Sequence, residues 1–104
     1  MNHYAVRLIA PRPTFVQDMT EAERAMMGAH AEYWGGLLAS GTAVLFGPVL
    51  DPSGPYGLGV LELDDPAEIE KITSADPAVQ GGLRAEVHPM GPTMARPFSP
   101  PADR

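Results

Sequence analysis

The chain has 104 residues, enough for one domain with a single core and too few for two. A hydrophobic share of 44% and a charged share of 19% are typical of a folded chain and exclude a disordered one. The net charge of -6 disfavours binding to a phosphate backbone, and the absence of cysteine excludes a disulfide framework, a thiolate metal site and a cysteine nucleophile.

The first half of the chain predicts a strand and a long helix. Residues 3–9 alternate between two sides with a period of two, as expected of a strand, and Pro11 ends it. Thr20 followed three residues later by Glu23 forms a capping-box signal, so a helix begins there, and Gly41 is its natural stop. The apolar arc of this helix is wider than one packing surface needs, so we expect the tail or a second subunit to cover its flank.

The second half predicts a hairpin, a short helix and a last strand. The strands cover residues 42–50 and 56–63, and Asp65-Pro66 begins a helix over 66–74. Asp76-Pro77 opens a further turn or one turn of helix, and the last strand covers 83–88. The order β-α-β-β-α-β predicts a ferredoxin-like α+β fold, a four-stranded antiparallel sheet with two helices on one face.

Two predictions concern the ends of the chain and its location. A domain over residues 1–90 is expected to precede a Pro-rich tail, 91–104, which is either disordered or lies across a partner subunit. No apolar run approaches the roughly 18 residues of a membrane span, and no basic segment precedes an apolar stretch at the N-terminus. We therefore expect no anchor or secretion signal, a cytoplasmic location, and neither nucleic acid nor membrane as a partner.

The second strand is apolar on both sides, which predicts an assembly. Alternation places Ala43 and Leu45 on one face and Val44 and Phe46 on the other. The helices cover only one face of the sheet, and soluble monomers seldom expose a large apolar patch. We therefore predict a homodimer that packs its sheet faces together.

His30 is an ionisable residue within the apolar arc of the first helix, so it is expected to point at the sheet. It is either a core histidine with one backbone partner or part of a pocket wall. Imidazole titrates near neutral pH and needs a partner to fix its tautomer, so a facing carboxylate decides between the two. Asp76 is the best candidate, although aspartate before proline is also a common turn or cap residue.

Four other residues are candidates for the wall of such a pocket. Tyr33 and Trp34 follow His30 on the helix and are mainly packing residues, and Trp34 is the better wall candidate because it lies one turn away. Gly47 and Pro48 interrupt the pairing of the second strand, since proline lacks an N–H. If that break faces the cavity, its free backbone groups are able to hold a substrate oxygen.

A series of short motifs runs through the body of the chain: His30-Ala31-Glu32-Tyr33-Trp34, Gly41, Phe46-Gly47-Pro48, Asp76-Pro77 and Val87-His88-Pro89. In order and spacing this series resembles the YciI-like (YCII-related domain) family of small proteins, over about residues 3–90. The resemblance implies a ferredoxin-like fold, a dimeric α+β barrel and an active site built on a histidine–aspartate pair. By motif, the pair is carried over to His30 and Asp76.

Such a pair supports proton transfer. A carboxylate that accepts a hydrogen bond from one imidazole nitrogen orients the ring, so the other nitrogen exchanges a proton with a small substrate. This favours a cofactor-independent lyase or isomerase, including dehydrohalogenase-like chemistry, acting on a small organic molecule. The alternative is a non-catalytic small-molecule-binding or regulatory module of the same fold. The scattered histidines His3, His30 and His88 form no ligand motif, so no metal is expected.

Overall fold

A computed structural model describes residues 2–97 of the chain. Its elements in chain order are β1 (Asn2–Ile9), α1 (Phe15–Asp18), α2 (Glu21–Ser40), β2 (Ala43–Val49), β3 (Tyr56–Leu63), α3 (Ala67–Ser74), α4 (Pro77–Gln80) and β4 (Arg84–Pro89). The strands form one antiparallel sheet in the order β2-β3-β1-β4, with β1 and β3 at its centre. This topology confirms the predicted ferredoxin-like α+β fold.

Helix α2 begins and ends where the local signals predict. Thr20 Oγ1 accepts a hydrogen bond from the Glu23 amide at 3.1 Å, and the Glu23 carboxylate accepts one from the Thr20 amide at 2.9 Å. These reciprocal bonds satisfy two amides at the start of the helix. Gly41 ends it in the left-handed conformation, with φ at 82°, and its amide donates to the Leu38 carbonyl at 3.1 Å.

Replacing Gly41 with alanine is expected to lower the free energy of unfolding by about 1 kcal/mol, because a Cβ disfavours positive φ. Urea denaturation followed by circular dichroism measures the change. Gly36→Ala within α2 is the matched control, since an added Cβ there meets nothing within 4 Å and no positive φ is involved. That control is expected to stabilise the helix by up to about 1 kcal/mol. An unchanged stability of Gly41→Ala would contradict the assigned cap.

Helix α1 adds one turn within the segment that the sequence predicts as a loop. Phe15 is 4% exposed and packs with Leu8, so burial of its ring holds the turn in place despite the neighbouring prolines. Arg12 ties the segment to α2: it donates to the Asp18 carboxylate at 2.7 Å and to both oxygens of Glu23 at 2.7 and 2.9 Å. The hydrogen bonds from Arg12 and the Thr20 amide lower the pKa of Glu23 to about 2.

The core lies between the sheet and the helices. On β1, Tyr4, Val6 and Leu8 are buried and Arg7 is exposed, which is the predicted alternation. Two groups of buried side chains form this core: Tyr4, Val6, Trp34, Ala43 and Leu61 in one, and Leu8, Phe15, Ala78 and Leu83 in the other. The helices therefore cover the face of the sheet to which the buried side chains of β1 belong.

The predicted side-chain orientation on β2 is wrong. Ala43 and Leu45 pair with consecutive residues of β3, so a β-bulge adds an extra residue at Val44. Because an extra residue reverses the alternation, Ala43 and Phe46 both pack into the core. Val44 and Leu45 are 41% and 47% exposed. Ala43 and Leu45 therefore lie on opposite faces.

The flank of α2 is covered in part by the chain itself. Met26 and Met27 pack against the core group that contains Ala78 of α4, whereas the sequence predicted the tail or a second subunit there. After β4, residues 90–97 carry no helix or strand, and residues 98–104 of the predicted tail lie outside the described residues. None of the helices within residues 2–97 has the length and apolarity that crossing a membrane requires.

Candidate active site

Asp76 is held by the start of α4. Its Oδ1 accepts a hydrogen bond from the Ala78 amide at 2.9 Å, so it is the N-cap of this short helix. The residue before a proline prefers extended backbone, which is also what an N-cap requires, and Asp76 has ψ at 123° before Pro77. The backbone therefore aims the carboxylate back toward α2.

His30 of α2 meets this carboxylate. Its Nδ1 lies 2.9 Å from both Oδ1 and Oδ2 of Asp76, across 46 positions of sequence. The His30 side chain is 14% exposed and that of Asp76 is 4% exposed. The two alternatives for Asp76, cap residue or histidine partner, are thus both realised by the same carboxylate.

The contact assigns the neutral tautomer of the ring. An ionised carboxylate only accepts, so Nδ1 carries a proton and donates it, and in the neutral ring it is Nε2 that presents the lone pair. Within residues 2–97, Nε2 has no hydrogen-bond partner, and no fully buried polar side-chain atom there is left unpaired. An unpaired Nε2 is therefore not fully buried, and a molecule from outside is able to reach it.

Asp76 is ionised despite its burial. Burial raises the pKa of its carboxyl, but hydrogen bonds from His30, Trp34 and the Ala78 amide lower it by more, so the net pKa lies below the ordinary 3.8. The positive charge of a protonated imidazole acts in the same direction. A buried anion beside His30 is therefore a permanent feature of the site at neutral pH.

The pair borders an apolar cavity of about 300 Å³ between the sheet and the helices. His30 and Asp76 both line it, and aromatic side chains from four elements or loops complete the wall: Phe15, Trp34, Phe46 and Tyr56. This volume lies at the lower end of the range for ligand pockets, about 300–1,000 Å³. The cavity thus combines a small apolar space with one ionisable pair.

The predicted wall residues divide into two groups. Trp34, Gly47 and Pro48 line the cavity. Tyr33 does not: its hydroxyl donates to the Ile72 carbonyl at 2.7 Å, and its ring packs against the core. Assigning Tyr33 to the pocket was therefore wrong, because adjacent positions on a helix point about 100° apart.

The segment between β1 and α2 contributes wall residues that the sequence interpretation missed. Phe15, Val16 and Met19 line the cavity. The available signal was an apolar cluster inside a segment that two prolines mark as a loop, and local patterns do not say against what it packs. Tyr56, at the start of β3, is another missed residue.

The other two histidines lie away from the cavity. His3 Nε2 contacts the Glu62 carboxylate at 2.8 Å, and His88 is exposed on β4. Among residues 2–97, no three histidine, cysteine, aspartate or glutamate side chains come together as a metal-binding group.

Together, fold and site define a class: small α+β proteins in which a helix and the cap of a second helix bring a histidine and an aspartate to the edge of an apolar cavity. The model of the YCII-related domain family matches residues 4–90. The chain belongs to this family, and the predicted resemblance is confirmed.

A solved structure supports the fold assignment. The chain is similar to 5-chloro-2-hydroxyhydroquinone dehydrochlorinase (TftG) of Burkholderia phenoliruptrix AC1100, determined in complex with 2,5-dihydroxybenzoquinone. The TM-score is 0.59 at 19% identity, over 82% of this chain and 90% of that one. No curated protein sequence matches the chain.

Proposed function

We propose that this protein is a small-molecule enzyme of the lyase or isomerase type, in which His30 is the general acid and base and Asp76 orients it. One observation carries the proposal: the Nδ1 of His30 is held by a buried carboxylate while Nε2 is left free at an apolar cavity. A structural core histidine needs neither the anion nor the access. General acid–base catalysis needs the access, and the anion fixes the tautomer and the orientation of the ring for it.

The mechanism follows from this geometry. Nε2 takes a proton from the substrate, and the resulting imidazolium is stabilised by the Asp76 carboxylate. In an isomerisation, Nε2 returns the proton to another atom of the substrate. In an elimination, the electrons of the broken bond to hydrogen form the new double bond, and the leaving group departs with its own bonding pair. Asp76 stays ionised throughout and does not take the proton.

The cavity indicates the size and shape of the substrate. About 300 Å³ with aromatic walls suits a single ring. The structural neighbour acts on a chlorinated hydroxyhydroquinone and is seen with 2,5-dihydroxybenzoquinone, which supports hydroxylated six-membered rings as the first compounds to assay with this chain.

Chloride release from chlorinated hydroxyhydroquinones tests for elimination. Exchange of carbon-bound hydrogens of phenols and lactones for deuterium from heavy water tests for the proton abstraction of an isomerisation. Binding is followed separately by calorimetry with the same compounds. Turnover that disappears in His30→Gln supports the proposal. Tight binding with neither elimination nor exchange would favour the alternative of a non-catalytic binding module.

We also propose that the face of the sheet opposite the helices binds a second copy of the chain. On this face, Leu45, Val60 and Ala5 form one row across β2, β3 and β1. Leu45 is 47% exposed, and polar contacts border the row, including His3–Glu62 at 2.8 Å. An apolar row with a polar border is the usual composition of a protein interface.

Light scattering at micromolar concentration is expected to give twice the 11.1 kDa mass of one chain. Leu45→Lys is expected to shift the protein to the monomer, because it places a charge in the apolar row. Leu50→Lys, at a residue that is 79% exposed and outside the strands, is the control and leaves the mass unchanged. A wild-type mass of one chain would overturn the dimer.

The absence of a cofactor and the cytoplasmic location stay predictions.

A further inference from the structure

Trp34 makes a contact that a wall residue does not need. Its indole Nε1–H donates to Asp76 Oδ2 at 2.9 Å, in the buried interior. Oδ1 accepts from His30 and the Ala78 amide, and Oδ2 accepts from His30 and Trp34. Because both oxygens have a second donor besides His30, rotation of the carboxylate breaks at least one bond. Hydrogen bonds to a charged group are the strong ones.

The position of the indole ring depends in turn on a glycine of β3. A Cβ built at Gly59 would lie only 2.4 Å from the Trp34 ring. The ring also contacts Phe46, with the centroids 5.9 Å apart, and Trp34 is 4% exposed. The missing side chain of Gly59 is therefore the space into which the ring fits, and the ring has little room to move.

We propose that Trp34 is a positioning residue for the acid–base pair, and that Gly59 is the seat that lets its indole N–H hold the Asp76 carboxylate against rotation. The consequence is a rigid connection from the centre of the sheet to the reacting imidazole: Gly59 seats Trp34, Trp34 fixes Asp76, and Asp76 sets the orientation of His30. Its effect on turnover rests on the proposed function, whereas its effect on Asp76 does not.

The competing explanation is that Trp34 only fills the core. Trp34→Phe separates the two, because it keeps an aromatic ring and removes the N–H donor. Leu37→Ala is the matched control: Leu37 packs against the same core group and carries no polar atom that reaches Asp76. If Trp34 only packs, both variants are expected to have the same effect on the pKa of Asp76. If Trp34 positions Asp76, only Trp34→Phe is expected to change that pKa.

The first measurement is an NMR titration of the Asp76 carboxyl carbon in the wild type and both variants. The pKa of Asp76 is expected to rise in Trp34→Phe, since one hydrogen bond that lowers it is lost, and to stay unchanged in Leu37→Ala. Besides His30, the titratable group that interacts electrostatically with Asp76 is Tyr33. Both residues are present in all three proteins, so they do not account for a difference in the pKa of Asp76 between them. Trp34 is the only tryptophan, so its single indole N–H signal reports the contact directly and is expected to move in Asp76→Asn.

The second measurement is turnover of whichever substrate the assays above identify. Trp34→Phe is expected to lower kcat about tenfold with little change in KM, the loss that corresponds to one hydrogen bond to a charged group. Leu37→Ala is expected to keep kcat. Equal Asp76 titrations in wild type and Trp34→Phe would overturn the positioning role. A wild type without turnover would instead count against the proposed function, and the NMR result would still decide the role of Trp34.

Discussion

Replacement of His30 with alanine is expected to lower kcat/KM by about 10² to 10⁴, the contribution that a positioned general acid or base makes to proton transfer. The expectation follows from the free Nε2 at the cavity and the Asp76 carboxylate on Nδ1. His30 belongs to neither group of buried core side chains, and Asp76 keeps its hydrogen bonds from Trp34 and the Ala78 amide, so the fold is expected to survive. Chloride release or deuterium exchange, whichever the wild type shows, is the readout.

His88→Ala is the matched control for this loss. His88 is exposed on β4 and pairs with Ala5, on the face of the sheet away from the cavity. Because this is the face proposed to bind the second copy, light scattering checks that the variant keeps the wild-type mass. Its activity is expected to equal that of the wild type. If His30→Ala retains full activity while circular dichroism shows a folded protein, His30 is a core histidine and the catalytic assignment fails.

Replacement of Asp76 with alanine is expected to lower the free energy of unfolding by about 3 kcal/mol at neutral pH. The substitution leaves the Trp34 N–H and the Ala78 N–H without their acceptor in a buried place. Each unpaired buried donor costs about 1–3 kcal/mol, and the lost helix cap is part of that cost. Urea denaturation followed by circular dichroism measures it.

Asp51→Ala provides the comparison for this variant. Asp51 also accepts from a backbone amide two residues on, that of Ser53 at 2.9 Å, but on the exposed side of a turn. Water replaces the lost acceptor there, so the expected cost is about 1 kcal/mol or less. Equal losses for Asp51→Ala and Asp76→Ala would show that the buried network around Asp76 adds nothing.

The stability that Asp76 contributes depends on pH in a direction that its pKa determines. Its folded pKa lies below the ordinary 3.8, so the contribution is present above that pH and is lost as the pH falls through the folded pKa. The gap in unfolding free energy between wild type and Asp76→Ala is therefore expected to narrow when the denaturation series is extended from neutral pH to about pH 3. A gap that stays constant would mean that folding does not lower the pKa of Asp76, and a gap that widens would mean that the native state holds Asp76 protonated.

Local signals predicted the framework of this protein well. The Thr20–Glu23 capping box, the stop at Gly41 and the alternation of β1 each depend on residues close together in sequence, so the order of elements and the fold class followed from them. The helical phase also placed His30 toward the sheet, and the family motif named Asp76 as its partner.

The failures share a cause. The β-bulge at Val44 reverses the alternation of β2. The bulge is a feature of how β2 pairs with β3, so the composition of β2 alone does not predict it. Tyr33 turns to Ile72, and Phe15 holds α1 in the core, because of what lies opposite each of them in space. A periodic pattern names the face of a residue, and its partner is decided by packing.

The sequence by itself determined the α+β topology and named His30 and Asp76 as partners, because helix caps, turns and alternation are short-range effects and the two residues stand in recognisable motifs. Only the tertiary structure decided how the pair is held. The Trp34 N–H reaches Asp76 across 42 positions, and it does so because Gly59, on a strand of a different part of the chain, leaves room for the ring. Such contacts join residues that are far apart in the sequence and meet only when the chain packs, so local sequence patterns do not predict them.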